Sequence, residues 1–562
     1  MITPILAQIP ATPIAWAEIS PELVLFGVGL LVLILDTAGR DRLQASFLAM
    51  GGLVAAGGLM LASSPTLLLP AGLLALSGLM QFALTLIWRD RPRLLSAILT
   101  AVGFAAAIGL VGWLWVAHTV VVGGQPFVGT ASVIGNMVAV DGVALFTMAT
   151  VCLAGLVTVL LSYAYLEERR IHRGEYYPLL LFAATGMTLL AASADLIMVF
   201  ISIEILSLAL YVLCGFAKRD LRSQESALKY FLLGAFSSAL LLYGVALFYG
   251  FARTTNIALV GQAFRDGATG EPGLILAAMG LLLVGFGFKT ALVPFHMWTP
   301  DVYQGAPTPV TGFMAAATKA AAFAAFLRVF VIAFGPLQWV WGPVFLVIAV
   351  LTMLVGAVLA VVQTDLKRML GYSAIAHTGY VLIGLMAVGP NRPDGVSGLL
   401  LYLLIYAFMS LGSFGVLSLL ERRSHKAVAL SDIAGLGQRD PVPAALLALF
   451  LLALAGIPGT AGFIAKLAVF RAGVEAGLWP LVVIAVVSSL IAAFFYIRVI
   501  VAMFMVGSQP DAVISRAPEV TPGATPGMIT GLMAAAAVVI LLGLPVVGPV
   551  VELARRAASL AL

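Results

Sequence analysis

Glu204, Lys229, Lys289, Lys319 and Lys466 are ionisable residues set in otherwise apolar runs. A charge near the centre of a bilayer costs about 2.5–3.5 kcal/mol even on lenient scales, so such residues mark ion or proton pathways by default. Lysine suits proton transfer there. An apolar surround favours its neutral form and a nearby carboxylate favours its charged form, so moving the carboxylate switches the proton. Of twenty-five acidic residues, only Glu204 reads as lying well inside an apolar run, in Val199-Phe-Ile-Ser-Ile-Glu-Ile-Leu-Ser-Leu. Four lysines facing one acid cannot all be charged and paired. A relay needs that imbalance, and a set of static ion pairs does not tolerate it. Snorkelling or static pairing is the plainer reading, and it fits Arg328 and Arg498, because arginine keeps its proton. It also competes for Lys229, which lies about one turn from the charged loop Lys218–Glu225.

Two of the lysines lie in interrupted runs. One is Val284-Gly-Phe-Gly-Phe-Lys289-Thr-Ala-Leu-Val-Pro294-Phe-His296, the other Ala455-Gly-Ile-Pro458-Gly459-Thr-Ala-Gly-Phe-Ile-Ala-Lys466. Glycine and proline free backbone groups inside a membrane, which is tolerated only beside protein or a water-filled cavity. Paired interrupted helices in inverted halves point to a transporter's ion site. His296 follows Lys289 by seven residues and shares its face if the helix continues. Imidazole, with an ordinary pKa of about 6.5, suits a proton shuttle. His377 is a second polar point, and both histidines read equally well as structural. Phe295, Trp298 and Tyr303 read as packing residues or interface anchors. Cys152 and Cys214 sit in apolar runs without metal-ligand spacing, so neither a metal site nor an iron–sulfur site is expected. Neither glycine-rich nucleotide-binding pattern occurs, so no bound cofactor is expected in this chain.

The elements that position these groups follow from composition. The chain has 562 residues, 62% of them hydrophobic and 10% charged, with a mean hydropathy of +1.11. That excludes a soluble globular or disordered chain, and long apolar runs exclude a transmembrane β-barrel. A crossing helix needs about 20 apolar residues. Sixteen segments meet this pattern: 21–38, 43–63, 68–88, 94–117, 141–164, 176–194, 196–217, 225–251, 273–294, 309–334, 339–363, 370–389, 397–420, 442–472, 478–507 and 526–550. Loops after odd segments hold eighteen lysines and arginines, and loops after even segments with the C-terminal tail hold six. This bias orients both termini outward and explains the net charge of +5 without nucleic acid. Residues 1–20 hold no lysine or arginine, so no cleaved signal is expected. Stretch 118–140 reads as a hairpin-like outer loop, and 508–526 as an inner linker. No soluble domain of useful size is expected.

At these residues the sequence resembles a known family. Ser207-Leu-Ala-Leu-Tyr-Val-Leu, Arg222-Ser-Gln-Glu-Ser-Ala-Leu-Lys-Tyr-Phe, Phe288-Lys-Thr-Ala-Leu-Val-Pro-Phe-His-Met-Trp-Thr-Pro-Asp-Val-Tyr-Gln-Gly-Ala-Pro, Lys367-Arg-Met-Leu-Gly-Tyr-Ser and Leu454-Ala-Gly-Ile-Pro-Gly-Thr-Ala-Gly-Phe-Ile-Ala-Lys resemble subunit N of bacterial NADH–quinone oxidoreductase, respiratory complex I. The resemblance runs from about residue 139 to 507. It implies a proton-pumping subunit with two inverted five-helix repeats. It matches Glu204 to the glutamate that works with the lysine of the first interrupted helix, here Lys289. It also matches Lys229 and Lys319 to further lysines of the first repeat, Lys466 to the lysine of the outward route, and His296 to the histidine of Pro-Phe-His. The family usually has fourteen spans, so the surplus of two lies before residue 118.

The expected fold is therefore all-α, a polytopic bundle of about 14–16 transmembrane helices with two inverted repeats, each with an interrupted helix. Residues 1–140 form N-terminal membrane helices with extra spans. Residues 141–507 form the proton-translocation core, with repeats at about 176–334 and 339–472, and 508–562 hold a linker and a last helix. The expected function is proton translocation in the bacterial inner membrane, within a hetero-oligomer of complex I membrane-arm subunits. The resemblance places NADH, FMN, iron–sulfur clusters and quinone in those partners. The competing readings are a cation/proton antiporter subunit, a membrane-bound hydrogenase subunit, a lone solute transporter and a static scaffold. The orientation carries its own test. A membrane-impermeant thiol reagent added outside sealed cells should fail to label a cysteine placed at Arg170 or Arg423, and labelling there would reverse the topology.

Overall fold

The computed structural model describes residues 18–37, 92–122, 125–133, 136–266, 272–389, 394–424, 429–505, 525–541, 543 and 547–558. The helices are α1 (Ser20–Thr37), α2 (Pro92–Ala117), α3 (Gly142–Glu168), α4 (Tyr176–Ala192), α5 (Leu196–Cys214), α6 (Leu221–Ala252), α7 (Ile257–Arg265), α8 (Pro272–Thr290), α9 (Trp298–Gly305), α10 (Thr308–Ala333), α11 (Gln338–Val361), α12 (Leu366–Met386), α13 (Asp394–Ser424), α14 (Pro441–Ala455), α15 (Ala461–Glu475), α16 (Trp479–Phe504), α17 (Thr525–Leu541) and α18 (Gly548–Ala557). Fourteen of the sixteen expected segments thus hold helices. Segments 43–63 and 68–88 lie outside the described residues, as does most of the expected linker 508–526. Segment 442–472 is two helices, α14 and α15, and segment 526–550 also divides, into α17 and the start of α18.

Local chemistry sets the helix starts. Asp141, Asp195, Asp220, Asn256 and Asp365 precede α3, α5, α6, α7 and α12, and each side chain accepts a first-turn backbone N–H. Without water at such an end, an N-cap oxygen takes over a donor that would otherwise be stranded. Among the described residues, ten helices are long and apolar enough to cross a membrane, and four shorter ones are also apolar. α10, α12 and α13 are almost wholly enclosed, whereas α6, α11 and α16 turn an apolar face outward, with Phe236, Val347 and Leu490 among its exposed side chains. Enclosure puts the polar residues of α10, α12 and α13 away from lipid. α11 and α12 approach so closely that a Cβ on Gly356 would lie 2.5 Å from the Ala376 backbone nitrogen, the small-residue contact that drives packing where lipid competes with any apolar surface. α10 is not uniform. Met314–Thr318 and Arg328–Ala333 are π turns on either side of an α-helical stretch that begins at Lys319.

The stretch 118–140 forms two antiparallel hairpins, Thr119–Val122 with Gln125–Val128, and Ala131–Val133 with Val138–Val140. The second is tied down through Ala194 N–H to the Met137 carbonyl at 2.8 Å. Beside it, Arg328 Nη2 lies 2.6 Å from Asp141 Oδ1, with both side chains 4% exposed. Arg328 Nε also donates to the Ala191 carbonyl at 3.0 Å. Arg498 donates to the carbonyls of Val361 and Gln363 at 2.6 and 2.7 Å. Both arginines are thus joints between elements, as expected from a group that keeps its proton. Arg328→Leu would strand the Asp141 carboxylate, and breaking a buried pair in this way costs about 3–5 kcal/mol. Thermal unfolding of the purified protein should show that loss, with a smaller one for Arg328→Lys.

Candidate functional site

The first interrupted run ends α8 at Thr290, and Ala291 takes a positive φ of 63°. The chain folds back instead of continuing, so Phe295 packs against Gly287, where an added Cβ would be 2.6 Å from its ring. His296 therefore does not share a helical face with Lys289. Among the described residues its buried Nδ1 has no hydrogen-bond partner. The break is satisfied by protein. Trp298 Nε1 donates to the Phe288 carbonyl at 2.9 Å, and Val293 N–H donates to Thr352 Oγ1 at 3.0 Å. Trp298 and Tyr303 are buried at 3% and 2% exposure, so of the two expected roles they take packing rather than interface anchoring.

Lys289 sits in the last turn of α8, 3% exposed. Its ammonium donates to Ser207 Oγ at 2.6 Å and Tyr230 OH at 3.3 Å, and lies 5.1 Å from the Tyr230 ring centre. The Trp298 ring stacks on Tyr230 at 4.7 Å, so the residue that holds the break also holds the aromatic wall. Glu204 is one turn before Ser207 on α5. Among the described residues it has no basic group within 4 Å, and its buried Oε1 has no hydrogen-bond partner. Ser207, one turn on from Glu204, takes the ammonium directly, and Glu204 makes no ion pair with it among the described residues.

Lys319 begins the central stretch of α10 and is 4% exposed. It donates to the Ala374 carbonyl and to Thr378 Oγ1, the latter at 2.7 Å. Thr378 Oγ1 is 2.9 Å from the carbonyl of Thr290, the neighbour of Lys289. The Lys319 ammonium also lies 5.4 Å from the Tyr406 ring centre, and the His377 ring is 5.1 Å from the same ring. His377 Nδ1 is 2.7 Å from Tyr402 OH, and Nε2 is 3.2 Å from Tyr496 OH. One turn on, Tyr380 stacks edge-on to His377 at 5.5 Å.

The second break closes the file. α14 ends at Ala455, Gly456 has φ +81°, and the Ala455 carbonyl accepts from Lys466 Nζ at 2.7 Å. Lys466 also donates to Ser489 Oγ at 2.7 Å and lies 5.3 Å from the Tyr380 ring centre. Lys289, Lys319 and Lys466 are therefore joined through α12, with Thr378, His377 and Tyr380 as intermediates. Hydrogen bonds join Lys319 to Thr378, and Thr378 to the backbone beside Lys289, while ring contacts link Lys319, His377 and Lys466.

Lys229 lies apart from this file. It is 40% exposed and pairs with Glu225 and Asp301, both at 2.6 Å, and Asp301 also pairs with Arg368. The static reading fits it better than the relay. One expectation needs correction, because Glu204 is half-buried while other acids of the bundle, Glu22 and Glu421 among them, are buried. Glu421, 6% exposed, is 3.4 Å from Lys367, 4% exposed, and accepts from Thr308 and Tyr165. α13 continues past the expected end at 420, and Lys367, read as a loop charge, belongs to α12. Their hydropathy gave no signal, because Glu421 stands one residue, and Lys367 three residues, outside an expected apolar segment. Cys152 and Cys214 are buried free thiols. Among the described residues no group of three or more histidine, cysteine or acidic side chains is gathered for a metal ion.

Broken membrane helices around a buried lysine file define an antiporter-like membrane subunit. A family profile described as NADH:quinone oxidoreductase/Mrp antiporter, TM, matches residues 193–492. The chain belongs to the NADH-quinone oxidoreductase subunit N family. It is 45% identical over 527 residues to subunit N of Rhodococcus opacus, covering 90% of each chain, and 48% identical over 392 residues to that of Mycobacterium tuberculosis, covering 69% and 71%. Among solved structures, a chain of respiratory complex I from Thermus thermophilus with bound aureothin is 35% identical, with a TM-score of 0.66 and coverage of 85% of this chain and 98% of that one. A chain of the Mrp complex from Dietzia shares the fold at TM-score 0.69 and 22% identity.

The second break gives a matched pair of substitutions. Gly456 has positive φ, and a Cβ there would lie 2.8 Å from Lys466 Cδ. Gly459 has φ +91° with nothing within 4 Å of an added Cβ. Both alanine variants bear backbone strain of about 1 kcal/mol, but only Gly456→Ala must also displace Lys466. Thermal unfolding of the purified protein should fall further for Gly456→Ala than for Gly459→Ala, and equal losses would remove Lys466 from the break.

Proposed function

We propose that this chain is a proton-translocating subunit of the membrane arm of type I NADH:quinone oxidoreductase, with Glu204, Lys289, Lys319 and Lys466 as its relay. The observation that carries the reading is the buried file from Lys289 through Thr378, Lys319 and His377 to Lys466. Redox chemistry belongs to partner subunits holding NADH, FMN, iron–sulfur clusters and quinone, and this chain receives the energy mechanically. Moving one charge against 100 mV costs about 2.3 kcal/mol, so the relay must be gated to prevent return flow. The gate is the distance between Glu204 and Lys289. With the carboxylate engaged, the lysine holds its proton; with Ser207 as its partner, it can release the proton along α12 towards Lys466.

Residues 141–507 form the working core, built as inverted repeats at about 176–334 and 339–472, with 1–140 and 508–562 as flanking membrane elements. Both termini face outward, and Lys466 serves the outward branch. Lys229 and His296 stand at the edge of the relay. Lys229, held by Asp301, positions the start of α9, and His296 is a side branch near the first break. The antiporter alternative shares the fold, but relatives at 42–48% identity favour the oxidoreductase subunit.

Two substitutions test the relay. Glu204→Gln should abolish most proton pumping by reconstituted vesicles while the complex still assembles, and normal pumping would overturn the gate. Lys466→Arg keeps the charge but cannot release the proton. It should therefore fail nearly as badly as Lys466→Ala, whereas rescue by arginine would assign Lys466 a static role.

A further inference from the structure

The loop between α3 and α4 and the loop between α5 and α6 enclose a hollow of about 800 Å³. Its walls carry Arg169, Arg170, Arg173, Lys218, Arg219 and Arg222 against a single acid, Asp220. Asp220 is already committed. It caps α6 through Arg222 N–H at 3.0 Å and sits 3.8 Å from Arg169 Nη2. Among the described residues, the other five basic side chains have no acidic group within 4 Å. An orientation bias explains basic residues in these loops, but not their convergence on one hollow without counter-charges. Self-repulsion among five such groups is screened in part by water and salt, and is relieved further by an anion bound among them.

The hollow also has an apolar exit. Phe216 lines its floor, and Leu221, 78% exposed, stands at its rim. From Leu221 the outer face of α6 runs on through Leu228, Leu232 and Phe236, all more than half exposed. A ligand that fills both features has an anionic head and an apolar tail lying along a membrane helix. We propose that this hollow is a binding site for the phosphodiester headgroup of an anionic phospholipid, with an acyl chain against the exposed face of α6. Basic pockets between membrane helices on the cytoplasmic side bind anionic headgroups in this way. A second subunit's acidic segment would satisfy the charge but would not need the apolar track.

The test uses the assembled complex. Delipidated complex is titrated with phosphatidylglycerol in phosphatidylcholine nanodiscs, and separately with inorganic phosphate. Phosphatidylglycerol should bind saturably. A variant carrying Arg170→Gln, Arg219→Gln and Arg222→Gln should bind it about a hundredfold more weakly, at about fivefold per basic residue removed. Arg→Lys at the same three positions should restore most of the affinity. Equal binding by the wild type and the glutamine variant would overturn the site. Competition by inorganic phosphate at the lipid's own concentration would make it a free-phosphate site instead. A photo-reactive residue in place of Leu221, on an otherwise native chain, should cross-link to phospholipid in native membranes. An adduct with a partner subunit would assign the hollow to protein docking and overturn the proposal.

Discussion

A helix that stops inside a bilayer leaves carbonyl groups that no water is at hand to take, and whatever satisfies them becomes fixed in place. This chain stops a helix twice beside a buried lysine. At the first stop, the Phe288 carbonyl holds the Trp298 indole, which backs the Tyr230 wall around Lys289. At the second, the Ala455 carbonyl holds the Lys466 ammonium directly. The breaks are therefore more than gaps in two helices. They are the fittings on which the ionisable groups are mounted, and the surrounding bundle exists at these depths to exclude lipid from them.

α12 is the element that turns two separate fittings into one path. It is enclosed on nearly all sides, so a polar residue on any face meets protein. Thr378 and the Ala374 carbonyl face Lys319, His377 faces the tyrosines of α13 and α16, and Tyr380 reaches the ring contact with Lys466. A polar group buried without a partner costs about 1–3 kcal/mol. Along α12 the partners are supplied mostly by hydroxyls and carbonyls, which satisfy an ammonium without fixing a compensating charge beside it. Paired carboxylates would have immobilised the same lysines.

Much of this was legible in the sequence because the bilayer imposes coarse rules. Apolar length gave fourteen helical segments, glycine and proline beside a lysine marked both breaks, and the stretch 118–140 folds as hairpins. Three features were not legible, each for a physical reason. The pairing of Lys367 with Glu421 joins residues 54 positions apart in sequence that stand at the margins of apolar runs, where hydropathy has no resolution. The break after Thr290 removed His296 from the face of Lys289, because a helical wheel extrapolates through a turn it cannot see. Thr378, Ser207 and Tyr380 are common membrane-helix residues, and only the fold puts them beside a lysine.

The π turn Met314–Thr318 lies immediately before Lys319. A π turn holds one residue more than the α geometry needs, and one residue of an α-helix is about 100° of rotation and 1.5 Å of rise. α10 carries two such turns, and one of them lies directly before Lys319. Taking up that one-residue step would swing the Lys319 side chain away from Thr378 while the helix ends shifted by little more than a bond length. In such a step a small axial displacement would become a large angular one at the ammonium.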